Sequence, residues 1–222
     1  MIMATNITVP MTIRNYERNP HEITRLSFAA IRREADLSAV PEDVMPIALR
    51  MIHSCGMVDL LADLAFSKGA GDAGRAALAT GAPILCDVEM VARGIAARRL
   101  PTDNKVICLL GENGIAEQAR TMGTTRTAAA VELWQPLLAG AIIAIGNAPT
   151  ALFRLLEIMA EQAPRPALVI ATPPGFIGAA ESKEALIAND FGVPYVALRG
   201  RRGGSALAAA AVNALAFKEE AA

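Results

Sequence analysis

Residues 141–150 read Ala-Ile-Ile-Ala-Ile-Gly-Asn-Ala-Pro-Thr, and this stretch decides the fold that the sequence predicts. An unbroken apolar run ending at Ile145 is typical of a short strand whose two faces are both covered, as in a parallel sheet. The glycine and proline that follow are typical of a turn, and apolar residues at helical spacing come next. The stretch therefore predicts a strand, a turn and a helix in that order.

The same pattern recurs along most of the chain. Alternating strands and helices predict an α/β fold, a three-layer sandwich with a mostly parallel β-sheet flanked by helices on both faces. The predicted strands are residues 83–86, 106–110, 141–145, 167–171 and 195–198. The predicted helices that follow them are residues 89–99, 115–122, 128–138, 150–162, 182–189 and 205–217.

Two further helices are predicted in the N-terminal part. Asn19 is a suitable N-cap, with Pro20 at the first helical position and Glu22 where the acid of a capping box belongs. A second apolar stripe predicts a helix over residues 42–55, and Gly56 is a natural left-handed terminator for it.

The domain organisation is predicted to be simple. Residues 1–12 lack periodicity and are predicted to form a loose tail, and residues 13–222 are predicted to form a single domain. The stretch 66–74 is rich in glycine, which is typical of a mobile loop.

Composition excludes several classes of protein. Of the 222 residues, 53% are hydrophobic and 19% charged, which is typical of a globular chain and not of a disordered one. The 21 basic and 22 acidic residues balance to a net charge of −1, unlike the bulk positive charge of a nucleic-acid binder. The sequence contains no apolar run of the roughly 20 residues that a membrane span needs, and its start does not resemble a signal peptide. We therefore expect a cytoplasmic protein that binds neither nucleic acid nor membrane.

Metal and disulfide chemistry are not indicated either. Cys55, Cys86 and Cys108 are an odd number of cysteines without close pairing, which argues against a disulfide framework or a zinc site. The two histidines leave little for a histidine-rich metal site, so we expect no bound metal.

Polar and glycine-rich segments follow several predicted strands. Ligands of open parallel sheets bind beyond the carboxyl ends of the strands, and helix N-termini attract anions, so these segments favour one large anionic ligand. The alternative is that turns between strands and helices need glycine and proline in any case. The excess of arginine over lysine has two interpretations as well: a ligand with carboxylates, or a GC-rich genome. The segments are residues 87–89, 146–150, 172–178, 181–183 and 199–205.

Two candidate functional positions stand outside these loops. His53 falls in the last turn of the second predicted helix, three residues after Arg50, and a helix C-terminus favours a protonated imidazole suited to proton donation. The alternative is a core histidine bonded to a carbonyl. Similarly, Arg126 either reaches a substrate carboxylate or is a surface charge beside a capping threonine such as Thr125.

Beyond these local patterns, the sequence resembles the precorrin-8X methylmutase family of cobalamin (vitamin B12) biosynthesis. The resemblance covers residues 19–215 and consists of five blocks in the family's order. The blocks are residues 50–56 (RMIHSCG), 81–91 (GAPILCDVEMV), 146–152 (GNAPTAL), 174–183 (PGFIGAAESK) and 199–206 (RGRRGGSA). Three positions depart from the family pattern: Thr172, Pro174 and Arg202.

The resemblance implies an isomerase that acts as a homodimer without a cofactor. The implied reaction moves a methyl group from C11 to C12 of precorrin-8X, a corrinoid, and gives hydrogenobyrinic acid, with His53 as the catalytic proton donor. The same rearrangement on cobalt-precorrin-8 and a non-catalytic corrinoid carrier remain alternatives. The predicted substrate-binding residues are Ser27, Arg50, Thr125, Arg126, Asn147, Thr150, Gly175, Gly178, Glu181, Ser182, Lys183, Arg201, Gly203 and Gly204.

Overall fold

A computed structural model describes residues 16–161, 164–188 and 191–217 of the chain. The predicted tail over residues 1–12 lies outside the described residues, and so do the predicted helix ends at residues 162 and 189. The prediction that residues 13–222 form a single domain stays a prediction.

Six strands form one sheet in the order β1-β6-β5-β4-β2-β3. Neighbouring strands are parallel except for β1, which is antiparallel to β6, so the prediction of a mostly parallel sheet is confirmed. The strands are β1 (Leu64–Phe66), β2 (Ile84–Cys86), β3 (Val106–Cys108), β4 (Ile142–Ile145), β5 (Leu168–Ala171) and β6 (Tyr195–Leu198).

Helices cover both faces of the sheet, as predicted. Successive residues of a strand point into two different apolar cores. In β2, Ile84 and Cys86 belong to the first core and Leu85 belongs to the second. The first core is completed by α1 (Pro20–Glu34), α2 (Met45–Cys55), α3 (Ala70–Ala79), α4 (Glu89–Gly94) and α9 (Ser205–Ala216). The second is completed by α6 (Arg126–Glu132), α7 (Pro149–Ala160) and α8 (Ala179–Ala188), while α5 (Ile115–Met122) packs against α6.

The prediction of a mobile loop over residues 66–74 is wrong. β1 ends at Phe66 and α3 begins at Ala70. The glycines of this stretch allow close packing instead of mobility: a Cβ atom on Gly71 would lie 1.8 Å from the carbonyl oxygen of Asp43. The strand β1 was missed because three residues at a sheet edge carry little periodicity.

Two predicted helices are shorter than expected. The predicted helix over residues 89–99 ends at Gly94 and is followed by a separate 3-10 turn, Ala97–Arg99. The predicted helix over residues 128–138 begins two residues earlier as α6 and ends at Glu132. A second 3-10 turn, which includes Pro136, follows it; proline has no N–H to continue an α-helix.

In the N-terminal part, the predicted N-cap of α1 and terminator of α2 are confirmed, whereas α2 begins at Met45 and not at residue 42, and one predicted capping contact is absent. Asn19 caps α1 by accepting the N–H of His21 at 3.0 Å, and Gly56 ends α2 in the left-handed region, with φ 72°. Glu22, however, does not form the capping box. Its carboxylate pairs with Arg25, and the Asn19 N–H donates to the Glu17 carboxylate instead.

Candidate active site

The carboxyl ends of β2 and β4 are joined by a buried carboxylate. Oδ1 of Asp87 accepts the N–H of Gly146 at 3.0 Å, and Oδ2 accepts those of Asn147 and Ala148 at 2.9 and 2.8 Å. Burial raises the pKa of Asp87, and the three N–H donors oppose that rise. Asp87, a polar residue of the strand-end segments, thus holds the start of α7 and positions Asn147, whose side chain is exposed.

The segments that follow β5 and β6 are joined to each other by backbone hydrogen bonds. The N–H of Gly204 donates to the carbonyl oxygen of Thr172 at 2.7 Å, and the N–H of Gly175 donates to that of Arg201 at 3.1 Å. Gly203 leaves no room for a side chain, because a Cβ atom on it would lie 2.1 Å from the carbonyl oxygen of Thr172. We call residues 172–178 and 199–204 together the loop pair.

Lys183 and Ser182 take positions that differ from the prediction. The Nζ atom of Lys183 is fully buried and donates to the carbonyl oxygens of Pro173 and Arg202, at 3.0 and 2.8 Å. Burial lowers the pKa of Lys183 to about 8, while the charges of nearby acidic groups oppose the change. Ser182 is buried too and donates to the carbonyl oxygen of Ala179. A direct contact of either side chain with a substrate carboxylate does not fit this arrangement; Lys183 binds the two halves of the loop pair together.

The remaining predicted residues of the loop pair and α8 are accessible. Arg201 is exposed and its guanidinium Cζ lies 5.2 Å from the centroid of the Phe176 ring. Phe176 and Ile177 are 85% and 90% exposed, an unusual placement for two large apolar side chains side by side. Accessible predicted positions in this region are Gly175, Gly178, Glu181, Arg201, Gly203 and Gly204.

His53 lies at the end of α2, as predicted, with its side chain exposed on one side. Its Nδ1 atom is 2.7 Å from the Oγ atom of Ser27, and its ring stacks on Phe28 with centroids 5.1 Å apart and an angle of 16° between the planes. Because Nδ1 is engaged with Ser27, Nε2 is the nitrogen left for a ligand.

The expectation that the helix terminus favours a protonated His53 is wrong for the isolated protein. Partial burial lowers the pKa of His53, and the positive charge of Arg50 lowers it further. The helix dipole favours the imidazolium ion by about 0.3–1 kcal/mol at an exposed site, and burial and the charge of Arg50 act against it.

A cleft of about 250 Å³ opens beside His53, between α2, α4 and α9. Three alanines of α9 supply its apolar lining, and the polar lining comes from Arg50, His53 and Ser54 of α2 and from Asn213 of α9. The lining residues are Arg50, His53, Ser54, Gly94, Ala206, Ala209, Ala210 and Asn213.

A second cleft, of about 490 Å³, lies between α5, α6 and α7. Three hydroxyl groups meet at its edge: the Oγ1 atom of Thr125 is 2.7 Å from that of Thr150 and 3.0 Å from that of Thr127. Thr125 also caps α6 by accepting the N–H of Ala128, and Arg126 is exposed beside it. Both interpretations of this segment therefore hold in part, since the threonine caps and the arginine is accessible.

The two clefts share no lining residue and belong to the helix layers on opposite faces of the sheet. The structure thus brings Ser27, Arg50 and His53 together but groups Thr125, Arg126 and Thr150 separately. Sequence reasoning missed Phe28, which positions His53, and Asn213, which lines the first cleft. Helical spacing could have indicated Phe28, which lies on the apolar face of α1, but Asn213 carries no local signal.

Among residues 16–161, 164–188 and 191–217, no group of three or more histidine, cysteine or acidic side chains is arranged to hold a metal ion. In the same part of the chain, no helix has both the length and the apolar character to cross a membrane.

Comparisons of this chain with known proteins agree on one family. The family model described as Precorrin-8X methylmutase matches residues 22–217. A precorrin-8X methylmutase from Pseudomonas aeruginosa is 57% identical over 206 residues, which cover 93% of this chain and 99% of the relative. A cobalt-precorrin-8 methylmutase from Leptospira interrogans is 33% identical over 210 residues, which cover 91% and 94%.

A solved structure is similar as well. The crystal structure of a precorrin-8X methylmutase from Thermus thermophilus superposes with a TM-score of 0.80 at 39% sequence identity. The match covers 88% of this chain and 94% of the Thermus chain.

Proposed function

The chain belongs to the precorrin-8X methylmutase family and is an isomerase of cobalamin biosynthesis, and from that premise we propose that His53 is the proton donor of its reaction. In the proposed reaction a methyl group moves from C11 to C12 of precorrin-8X and hydrogenobyrinic acid is formed. The observation that carries the proposal is the arrangement of His53 itself, bonded to Ser27 through Nδ1, stacked on Phe28 and facing an apolar cleft beside Arg50.

The arrangement suits an intramolecular rearrangement. A methyl shift within one molecule needs no protein nucleophile, so the enzyme has to orient the macrocycle and stabilise charge on it while a proton is delivered. Because substrate and product are isomers, the proton delivered by Nε2 of His53 has to be balanced by a proton lost from the ring system. The bond to Ser27 keeps the imidazole in one orientation during both steps.

The substrate itself supplies the condition for protonating His53. In the isolated protein, burial and Arg50 lower the pKa of His53. A ligand fringed with carboxylates brings negative charge next to both groups, which raises the pKa of the imidazole. Arg50 pairs with a carboxylate, and His53 then acquires the proton that it donates.

The relatives support the metal-free substrate over the cobalt-containing one. The Pseudomonas relative, named for precorrin-8X, is 57% identical, whereas the Leptospira relative, named for cobalt-precorrin-8, is 33% identical. The same enzyme names favour catalysis over a non-catalytic carrier.

We propose in addition that the enzyme acts as a homodimer. The cleft of His53 and the cleft of Thr125 lie in different helix layers of one chain. A single flat ligand that contacts both sets of predicted residues would need the second set from another copy. The separation of the two clefts therefore supports a site shared between protomers.

The proposed catalytic role is tested by mixing the purified protein with precorrin-8X and following the visible absorption of the corrinoid. We expect His53→Ala to bind hydrogenobyrinic acid but to lose turnover by a factor of about 10²–10⁴, the usual contribution of a positioned acid. The matched control is His21→Ala, because His21 is the other histidine and is exposed on α1. Normal turnover by His53→Ala would refute the assignment.

A further inference from the structure

His53, two phenylalanines and two arginines form a continuous stack. The Cζ atom of Arg50 lies 5.5 Å from the centroid of the Phe28 ring, which itself stacks on His53. Arg50 also contacts Phe217, with Cζ 4.9 Å from that ring's centroid. The Cζ atom of Arg99 lies 3.7 Å from the same centroid. Arg99, which the sequence did not single out, is thus connected to His53 through ring contacts.

The backbone that carries Arg99 is held against α9 by Asn213. The break between α4 and the 3-10 turn exposes two backbone groups, and Asn213 bonds to both. Its Nδ2 atom donates to the carbonyl oxygen of Gly94 at 3.0 Å, and its Oδ1 atom accepts the N–H of Ala96 at 2.8 Å. Gly94 packs so closely on α9 that a Cβ atom on it would lie 2.7 Å from a side-chain carbon. The position of Arg99 is therefore set by the packing of the fold.

Two guanidinium groups against one ring can bind a shared carboxylate. Burial lowers the pKa of Arg50, and the charge of Arg99 lowers it further, which shows that the two positive charges act on each other. A carboxylate carbon lies roughly 4 Å from the Cζ atom of an arginine that binds it through two hydrogen bonds. Both Cζ atoms lie within 4.9 Å of the Phe217 centroid, so a carboxylate placed beside that ring is attracted by both guanidinium groups.

The adjoining cleft has the size and lining of a site for part of a ligand. Its volume of about 250 Å³ is below the roughly 300–1,000 Å³ of pockets that enclose a drug-sized molecule. Its floor of alanine side chains is apolar, and its rim carries Arg50 and His53. Such a cleft suits an aliphatic side arm that ends in a carboxylate, while the ring of the ligand stays outside.

We propose that Arg99, together with Arg50, binds one carboxylate-bearing side arm of the macrocycle, whose aliphatic stem lies on the alanines of α9. This inference rests on the proposed function, because it takes the corrin precursor as the ligand. It makes Arg99 a substrate-binding residue that fixes how far the macrocycle enters the cleft beside His53.

The experiment compares Arg99→Gln with Arg98→Gln, since Arg98 is exposed in the same 3-10 turn. Calorimetric titration measures the Kd of hydrogenobyrinic acid and of the same compound with its side-arm carboxylates converted to amides. We expect Arg99→Gln to weaken binding of the acid by about 10- to 100-fold, as for loss of a charge-assisted pair, and to change binding of the amide by less than about twofold. Arg98→Gln is expected to bind both ligands like the unmodified protein.

Two results would overturn the inference: unchanged binding of the acid by Arg99→Gln, or equal weakening for acid and amide. If Arg99→Gln fails to fold, Phe217→Leu removes the ring that both arginines contact and is expected to weaken binding of the acid alone. A wild-type protein that does not convert precorrin-8X would refute the proposed function. Normal conversion by the wild type, with Arg99→Gln matching Arg98→Gln, would refute only this inference.

Discussion

At the scale of single residues, His53 shows how neighbours outweigh helix position. The end of α2 favours an imidazolium ion, but partial burial against Phe28 and the charge of Arg50 lower the pKa of His53. These neighbours therefore favour the neutral imidazole in the free protein. Under the proposed function, the polyacid ligand raises this pKa when it binds, so substrate binding is expected to be coupled to proton uptake.

The first prediction concerns the pH dependence of turnover. The kcat/KM value reports the free enzyme, in which the pKa of His53 lies below 6.5, so we expect kcat/KM to fall as pH rises through that lowered value. The kcat value reports the complex, in which the substrate's carboxylates raise the pKa, so its decline should occur at higher pH. Steady-state rates between about pH 5 and pH 9 measure both profiles. If kcat and kcat/KM declined at the same pH, the proposed effect of the ligand on the pKa of His53 would be contradicted. The control variant His21→Ala should leave both pH profiles unchanged.

At the scale of elements, the loop pair is held together by close backbone packing and by a buried lysine. Gly203 faces the carbonyl oxygen of Thr172, and Lys183 reaches the backbone of both segments from α8. An ion pair between Arg202 and Asp59 adds a connection to the turn that precedes β1. The accessible predicted positions of this region thus lie on one rigid surface.

Substitution of Gly203 tests the close packing of the loop pair. In Gly203→Ala the new Cβ atom would lie 2.1 Å from the Thr172 oxygen, so the two segments have to separate. We expect a loss of about 1–3 kcal/mol in the free energy of unfolding, together with weaker substrate binding, measured by urea denaturation and by KM. Gly111→Ala is the control, because its Cβ would meet nothing within 4 Å. Equal stability of the two variants would contradict the prediction.

Substitution of Lys183 tests the connection from α8. Lys183→Met leaves the carbonyl oxygens of Pro173 and Arg202 without their donor, which we expect to cost about 1–3 kcal/mol of unfolding free energy. Lys105→Met, at an exposed position, should change it by less than about 0.5 kcal/mol.

The advantage of the wild type over Lys183→Met should also depend on pH. The pKa of Lys183 is lowered to about 8 from an ordinary 10.5. Between these values the unfolded chain binds the proton and the folded chain does not, so the wild type gains stability as pH rises through this window. Urea denaturation at the two ends of this pH window measures the difference in unfolding free energy between the wild type and Lys183→Met. A difference that does not change with pH would show that the amine of Lys183 titrates normally.

At the scale of the whole molecule, the separation of the two clefts leads to a complementation test. If one site uses His53 of one protomer and Arg126 of its partner, His53→Ala and Arg126→Ala should each be inactive alone. A mixture that has exchanged subunits should regain about one quarter of wild-type activity, since half of the dimers carry one intact site of two. Light scattering establishes the dimer, and a mixed dimer that stays inactive would contradict the shared site.

The sequence by itself determined the strand and helix alternation, five of the six strands, and the blocks that identify the family. These features are local, since apolar periodicity and turn residues act over a few positions. The candidate site could be predicted to the extent that its residues lie in such blocks, as with His53 and Arg50.

Only the tertiary structure decided the edge strand β1, the burial of Lys183 and the lowered pKa of His53. It also decided the contact of Arg99 with Phe217 and the division of the predicted residues between two clefts. Each of these depends on groups that are distant in the chain, such as Phe28 for His53 and Phe217 for Arg99. Burial and charge act through space, so no local pattern in the sequence carries them.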